Sequence, residues 1–472
     1  MLAKLPGGTV IHFKIMKKTK SSVAKIAAGL AATIALGGTA LGQSADALID
    51  KLVEKGILSV KEANDLREEA DKGFNTAYSV KSGMPDWVTA LKFNGDFRGR
   101  YDGVYQDDKN YGPKPPPAAN AYASSDRTRF RYRLRFGAVA NLTDNFEVGL
   151  RLGSGELNAA APTLGANIFS ANQTLGNDAS RKLIFIDLAY GKWTPKPWFE
   201  AQIGKMASSF WLTDAVLDPD YNPEGAQEKF TWEIGANHKI ALSAGQFVLA
   251  ENFSAPGTAV NNDVYLFINQ IDWTAKWTKQ LSSRLGVAAI NFKNQRSLSP
   301  ALETFINQNG TPAVGVGSQN FNPIIARGEI TYALESFPLF TGEFPITVGG
   351  EYVNNPAADS QFFIGKTYSG AGNQAYNLGV QFGSAKAKGN WQISYNYKNI
   401  ETAATWHGLN DDDFGFNAKG GTDVRGHQII GSFHIFNPFF LNVRYMITEQ
   451  IANLPLTKSE QQRMFVDLLW QF

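Results

Sequence analysis

The sequence predicts an all-β fold: a transmembrane antiparallel β-barrel of about 16 strands, preceded by a short N-terminal helical segment. Three observations predict it. Apolar and polar residues alternate with period two from Trp87 onward, the connections alternate between short turns and long polar loops, and the 472-residue chain ends in an amphipathic strand finishing on Phe472. Period-two alternation places successive side chains on opposite faces of a strand. Parity of loop lengths is what a closed ring of antiparallel neighbours produces, whereas Greek-key crossings of a sandwich give no reason for it. No 18-residue apolar run follows residue 42, so a bundle of membrane helices is excluded.

The N-terminus reads as targeting sequence. Lys17, Lys18, Lys20 and Lys25 precede an apolar stretch, Ile26 to Ala40, and Ala40-Leu41-Gly42 supplies small residues at the −3 and −1 positions of a cleavage site. Residues 1–42 are therefore expected to be a signal peptide, with Met16 as an alternative start. Residues 43–73 change to helical period. Ala45, Leu48 and Leu52 share a face, Gly56 stands where a helix stops, and Ser59 with Glu62 forms a capping box before Ala63, Leu66 and Ala70. A helical hairpin is expected there, either a periplasmic coiled-coil or docking element or a solvated spacer. Residues 74–86 read as a linker, and 87–472 as the barrel.

Composition narrows the function classes. Forty-five basic and 43 acidic residues give a formal charge of +2, too small a field to draw the chain to nucleic acid. The absence of cysteine rules out disulfides and thiolate metal sites. With five histidines and no metal-ligand spacing or phosphate loop, no metal, no cofactor and no catalytic residue is expected. Ser432 and His434 share a strand face, which simple alternation explains better than a nucleophile and its base.

The strands are expected to begin near Ala90, Asp126, Asn145, Arg181, Trp198, Glu228, Gly245, Asp263, Leu281, Pro323, Pro345, Ala375, Asn390, Val424, Phe439 and Gln461, those near Glu228 and Gly245 alternating poorly. The second has the clearest pattern, with Arg127, Arg129, Arg131, Arg133 and Arg135 on one face and Phe130, Tyr132, Leu134 and Phe136 on the other. Outward faces are expected at Phe93, Phe97 and Tyr101; Ile184, Ile186, Leu188 and Tyr190; Trp391, Ile393, Tyr395 and Tyr397; and Leu441, Val443, Tyr445 and Ile447. Short connections follow strands two, four, eight, twelve and fourteen, and their rim is expected to be periplasmic. Long ones such as Gln106 to Ser125, Gly153 to Ser180 and Thr402 to Asp423 follow odd strands. Trp193, Trp198, Trp277, Trp391 and Trp470 adjoin the short-turn rim, as an interfacial aromatic girdle would.

The last strand sets Met464, Val466, Leu468, Trp470 and Phe472 on one face and Arg463, Asp467 and Gln471 on the other, similar to the C-terminal assembly signal of outer-membrane barrels. Together with Leu52-Val53-Glu54-Lys55-Gly56-Ile57-Leu58, Glu62-Ala63 and Leu66-Arg67, it makes the chain resemble the bacterial "putative porin" family, distantly like phosphate-selective porins. The resemblance implies residence in outer-membrane lipid, insertion by the barrel assembly machinery, a homotrimer, and passive diffusion of small hydrophilic solutes. It does not name the solute. A surface adhesion or structural protein anchored by the barrel, or a solute-specific channel, are the alternatives.

Sixteen strands would enclose an aqueous lumen rather than a filled core. Arg98 and Arg100 of the first strand neighbour the five arginines of the second, and Arg151 follows on the third. These eight side chains are expected to form a pore-lining basic wall that biases the pore toward anions or orients solute dipoles. Alternatively they form a structural ladder neutralised by Asp96, Asp102, Glu147 and loop acids. In general porins the loop after strand five folds inward. By that analogy Ala207 to Gln227, with Phe210, Trp211, Asp214, Asp218, Asp220 and Glu224, is expected to constrict the lumen and set acids opposite the arginines.

Overall fold

In the computed structural model the described residues are 84–107, 126–157, 170–176, 178–252, 263–297, 321–358, 372–406, 408–415, 421–451 and 460–472. The chain divides into two units, 1–77 and 78–472, and these residues belong to the second. The expected signal peptide, helical hairpin and most of the linker lie outside the described residues.

Sixteen strands form the barrel: β1 (Val88–Asp107), β2 (Arg127–Leu142), β3 (Phe146–Gly155), β4 (Leu183–Lys196), β5 (Phe199–Lys205), β6 (Glu224–Ile234), β7 (His238–Ala250), β8 (Val264–Lys276), β9 (Leu281–Lys293), β10 (Ile324–Leu334), β11 (Phe344–Asn354), β12 (Gln374–Gly383), β13 (Trp391–Ile400), β14 (Val424–Phe436), β15 (Phe439–Gln450) and β16 (Glu460–Gln471). Each pairs antiparallel with its sequence neighbours, and β1 pairs with β16 to close the ring. A two-residue strand, Gln173–Thr174, is inserted beside the upper part of β2. One rim carries the short turns 143–145, 197–198, 235–237, 277–280, 335–343, 384–390 and 437–438, and the other the long connections, so the parity read from sequence extends to every pair. Closure leaves no exposed sheet edge.

At the seam the Gly95 N–H donates to the Phe472 carbonyl at 2.7 Å, and the Phe472 N–H donates back at 3.0 Å. A Cβ on Gly95 would stand 2.6 Å from the Phe472 ring and 2.4 Å from the Arg135 carbonyl oxygen, so glycine is what lets the terminal ring lie against the seam.

Two expectations need correction. β6 and β7 begin at Glu224 and His238, ahead of the expected Glu228 and Gly245. On β7 the alternation is weak because apolar side chains stand on its inward face: Ala241 and Phe247 are buried, and Phe247 meets the Phe210 ring edge-on at 6.3 Å. On β4, Ile184 and Ile186 face outward as expected, but Leu188 and Tyr190 face inward. Arg151 pairs with Leu188 while Leu152 pairs with Ile186, so Asp187 is an extra residue, a β-bulge that reverses the faces beyond it. Leu188 is accordingly buried, and the Tyr190 hydroxyl donates to inward-facing Glu147 at 2.8 Å.

Aromatic side chains gather at the short-turn rim. Trp198 stacks on Phe230, which stacks in turn on Trp232. Trp273 and Trp277 meet edge-on beside His238, and Trp391 packs on Phe337, Phe340 and Phe344. Trp470 lies 4.6 Å from Phe439, just after the 437–438 turn.

Candidate functional site: the loop-filled bore

The bore is not an empty cylinder. Near the long-loop rim its inward face is apolar: Leu266 and Ile268 of β8, Ala288 and Ile290 of β9, Ile325 of β10, Val353 of β11, Ala375 of β12, Ile400 of β13, Val424 of β14 and Met446 of β15 are all buried. They pack with residues of two loops, L3 (residues 206–223, after β5) and L7 (residues 401–423, after β13), among them Phe210, Val216, Leu217, Trp406, Leu409 and Phe414. The expected aqueous lumen is thus partly occupied not by one inward loop alone but by two. Removing that much apolar surface from water is what holds the loops inward. The inward apolar positions, adjacent to the long loops, were the signal in the sequence.

L3 crosses the bore. The Trp211 N–H donates to Gln270 Oε1 at 2.7 Å, and Gln270 Nε2 donates to the Trp211 carbonyl at 2.8 Å. The Trp211 ring lies 4.1 and 4.2 Å from the guanidiniums of Arg284 and Arg327. The Thr213 N–H and hydroxyl donate to the two carboxylate oxygens of Glu351, at 2.9 and 2.5 Å. Lys398 Nζ, buried on β13, donates to Asp214 Oδ2 at 2.6 Å. On the near wall Asn222 Nδ2 donates to Asp187 at 2.8 Å.

L7, read from sequence only as a long polar connection, meets L3 inside the barrel. The Asp218 N–H donates to the Leu409 carbonyl at 2.6 Å, and the Asp411 N–H to the Asp214 carbonyl at 2.9 Å. The junction gathers Asp218, Asp411 and Asp412, each with a carboxylate oxygen within 4.8 Å of the others. Burial and mutual repulsion raise the Asp218 carboxyl well above the usual range, Asp411 to about 6 and Asp412 to about 8. Asp413 goes the other way. Burial opposes its charge, but Arg463, Arg100 and Arg444 outweigh that and hold it ionised.

The arginines of β1 and β2 do meet on one wall, and carboxylates meet them there. Arg133 and Arg135 reach Asp96 at 2.9 and 2.6 Å, Arg129 reaches Asp102 at 2.7 Å, and Arg100 binds Asp467 through Nε and Nη2 at 2.7 and 2.8 Å. Arg151 pairs with Asp187 at 2.5 Å. Arg127, at the exposed end of the ladder, has no ion pair among the described residues. Glu147 pairs with Lys192 at 3.0 Å and not with an arginine. Arg463 and Arg444, which the sequence reading did not assign to the basic wall, join the network: Arg463 binds Asp102 and Asp413, and Arg444 binds Asp411.

The expected acidic loop separates into three placements. Asp220 touches the wall directly, 3.4 Å from Arg133 and 3.6 Å from Arg135, rather than facing it across a gap. Asp214 and Asp218 turn to Lys398 and to L7. Glu224 is not in the loop: it is the first residue of β6, exposed and paired with Lys205 at 3.0 Å. His434 stacks on Phe440 at 4.1 Å, its Nδ1 lies 3.2 Å from the Lys386 carbonyl, and no hydrogen bond joins it to Ser432.

A family model described as "putative porin" matches residues 73–322 and 318–472. The chain belongs to this family. It is an outer-membrane porin, and family and fold make it a channel-forming barrel embedded in the outer membrane. No curated protein sequence matches it. Solved structures similar to it include the outer membrane channel DcaP of Acinetobacter baumannii (14% identity, TM-score 0.41, covering 81% of this chain and 97% of that one). Salmonella typhi OmpF in complex with daunomycin (7%, 0.42, 81% and 98%) and a mutant porin of Rh. blastica (10%, 0.38, 81% and 100%) are others. In this porin the bore therefore carries two inward loops, one wall of paired arginines and a buried cluster of acids between the loops.

Proposed function

We propose that this porin passes small polar and ionic solutes by passive diffusion through a bore that L3 and L7 narrow together. The observation that carries the reading is the anchoring of L3 on the far wall, at Gln270, Glu351 and Lys398, which takes the loop across the lumen rather than over its rim. Arginine pairing makes most of the wall a neutralised ladder, so ion preference rests on those guanidiniums that lack a close carboxylate. No step of the function requires bond chemistry. Phe472, hydrogen-bonded at the seam, would serve as the terminal signal read by an assembly machinery, and a homotrimer accords with the same family reading. Single-channel recording in planar bilayers tests the proposal: removal of residues 214–220 should raise unitary conductance, with heat-modifiable electrophoretic mobility confirming a folded barrel. An unchanged conductance in a folded variant would overturn the constriction. A wild-type barrel that does not conduct would favour the anchoring alternative instead.

A further inference from the structure

We propose that one copy of this chain docks on another through the outward face of β5–β9, a patch of small and polar side chains with Glu228 at its centre. The inference rests on the porin reading above and names the face by which copies in a homotrimer would meet.

Two rows of paired residues run across this face. In the first, Ala201 of β5 stands opposite Glu228 of β6, Glu228 opposite Ala244 of β7, Ala244 opposite Asn269 of β8 and Asn269 opposite Ala289 of β9. In the second, Ala226 stands opposite Gln246 and Phe267 opposite Asn291. Both rows share the outward side with exposed Ile203, Trp232, Leu242, Ile271 and Val287. A row on the far side of the barrel runs Val348, Val380, Tyr395, Ile429 and Tyr445, with no carboxylate or amide in it. Glu228 is four residues from Trp232, and Asn269 four from Trp273, both in the aromatic belt of the short-turn rim. Four residues of a strand tilted by about 40° climb about 10 Å, which sets both groups inside an apolar band about 25 Å tall. Lipid tails offer no hydrogen bond there, so a carboxylate and amides on that surface are costly unless another polypeptide covers them.

The patch is complementary to itself across its width. On one side Gln246 Nε2 donates to Glu228 Oε2 at 3.0 Å, which leaves Oε1 open as an acceptor. On the β8–β9 side the exposed amides of Asn269 and Asn291 have no hydrogen-bond partner among the described residues. An amide that donates to a carboxylate makes a charge-assisted bond, so the β8–β9 half of one copy fits the β6 half of the next. Contact between unlike halves is head-to-tail and closes a ring of copies about one axis. Ala201, Ala226, Ala244 and Ala289, set between the polar groups, let two strand faces approach closely, as small residues do where membrane segments pack. A second copy supplies both halves of the match, and lipid supplies neither.

The chain contains no cysteine, so the double variant Glu228→Cys/Asn269→Cys reports contact between copies by disulfide formation. Within one barrel the two positions lie two strands apart, about 9–10 Å between Cα atoms, too far for a disulfide inside a single copy. Oxidation of the full chain in outer membranes with copper phenanthroline is expected to give covalent dimer and trimer bands on denaturing, non-reducing gels. Val348→Cys/Tyr395→Cys, with the same two-strand spacing on the far side, is the control and should stay monomeric. Ala244→Trp fills the close approach and should abolish the oligomer in native electrophoresis, whereas Val380→Trp should keep it, with heat-modifiable mobility showing a folded barrel in each case. The absence of cross-chain disulfides in a folded Glu228→Cys/Asn269→Cys barrel, or controls that behave like the variants, would overturn the docking face. A wild type that conducts as a monomer would overturn it too, and a wild type that carries no current would instead refute the channel reading.

Discussion

The Arg100 guanidinium lies 4.1 Å over the ring of Phe465 while Nε and Nη2 of the same group clasp Asp467. Phe465 interrupts the polar face of β16, and its ring also lies 4.6 Å from Arg463 and 5.9 Å from Arg444. An aromatic ring on the lumen side is thus the platform on which three cations are packed, each held in place by its own carboxylate.

Replacing that platform should loosen the wall. Phe465→Ala is expected to destabilise the barrel by about 3 kcal/mol, the range for burying and then deleting a large aromatic side chain. Urea unfolding of the protein in lipid vesicles, followed by tryptophan fluorescence, measures it, and a change under about 1 kcal/mol would show that the ring carries little of the packing.

The Lys398–Asp214 bond ties L3 to β13 across the bore, with the lysine wholly buried. Lys398→Met leaves Asp214 without its partner, and one-sided removal of a buried pair costs about 3–5 kcal/mol. Part of that should appear as release of L3 and a higher, noisier unitary conductance. The double change Lys398→Met/Asp214→Asn should restore quieter channels, because no uncompensated charge remains.

Docking of L3 on L7 should weaken as pH rises. Asp218, Asp411 and Asp412 have raised carboxyl pKa values, so the docked loops bind more protons than separated ones, and linkage makes docking less favourable with increasing pH. The stabilisation is complete below about 4, the ordinary aspartate range, and is lost through about 6 for Asp411 and about 8 for Asp412. Asp413, held ionised, has the opposite sign and matters only below that range. Conductance fluctuations should therefore increase from pH 5 to pH 9, and Asp412→Asn should flatten the upper part of the profile. An identical profile in the variant would remove Asp412 from the junction's titration.

Gly95 should tolerate no bulky replacement. Gly95→Val puts carbon where the Phe472 ring and the Arg135 carbonyl already are, and the folded yield in a vesicle-insertion assay should fall steeply. Gly99, also on β1 but with open space where its Cβ would be, is the control: Gly99→Val should insert normally.

Much of this molecule follows from its sequence alone. Sixteen strands, their order and the parity of their connections were legible because alternation and turn composition are local properties, written within a few residues of each strand. Where a side chain packed on something distant, the local pattern failed. Inward Phe247 erased the period of β7, and the single extra residue Asp187 reversed the end of β4. The arginine ladder was visible on β2, but which carboxylate answers each guanidinium was not. Asp467 meets Arg100 across 367 residues, Lys398 meets Asp214 across 184, and Glu351 meets Thr213 across 138. Only closure of the ring brings such residues together. The sequence by itself therefore determined the barrel and its wall of arginines. The tertiary structure decided that two loops occupy the bore and that Arg98 and Arg131 are left short of a close carboxylate, because both depend on contacts that exist only once the last strand has paired with the first.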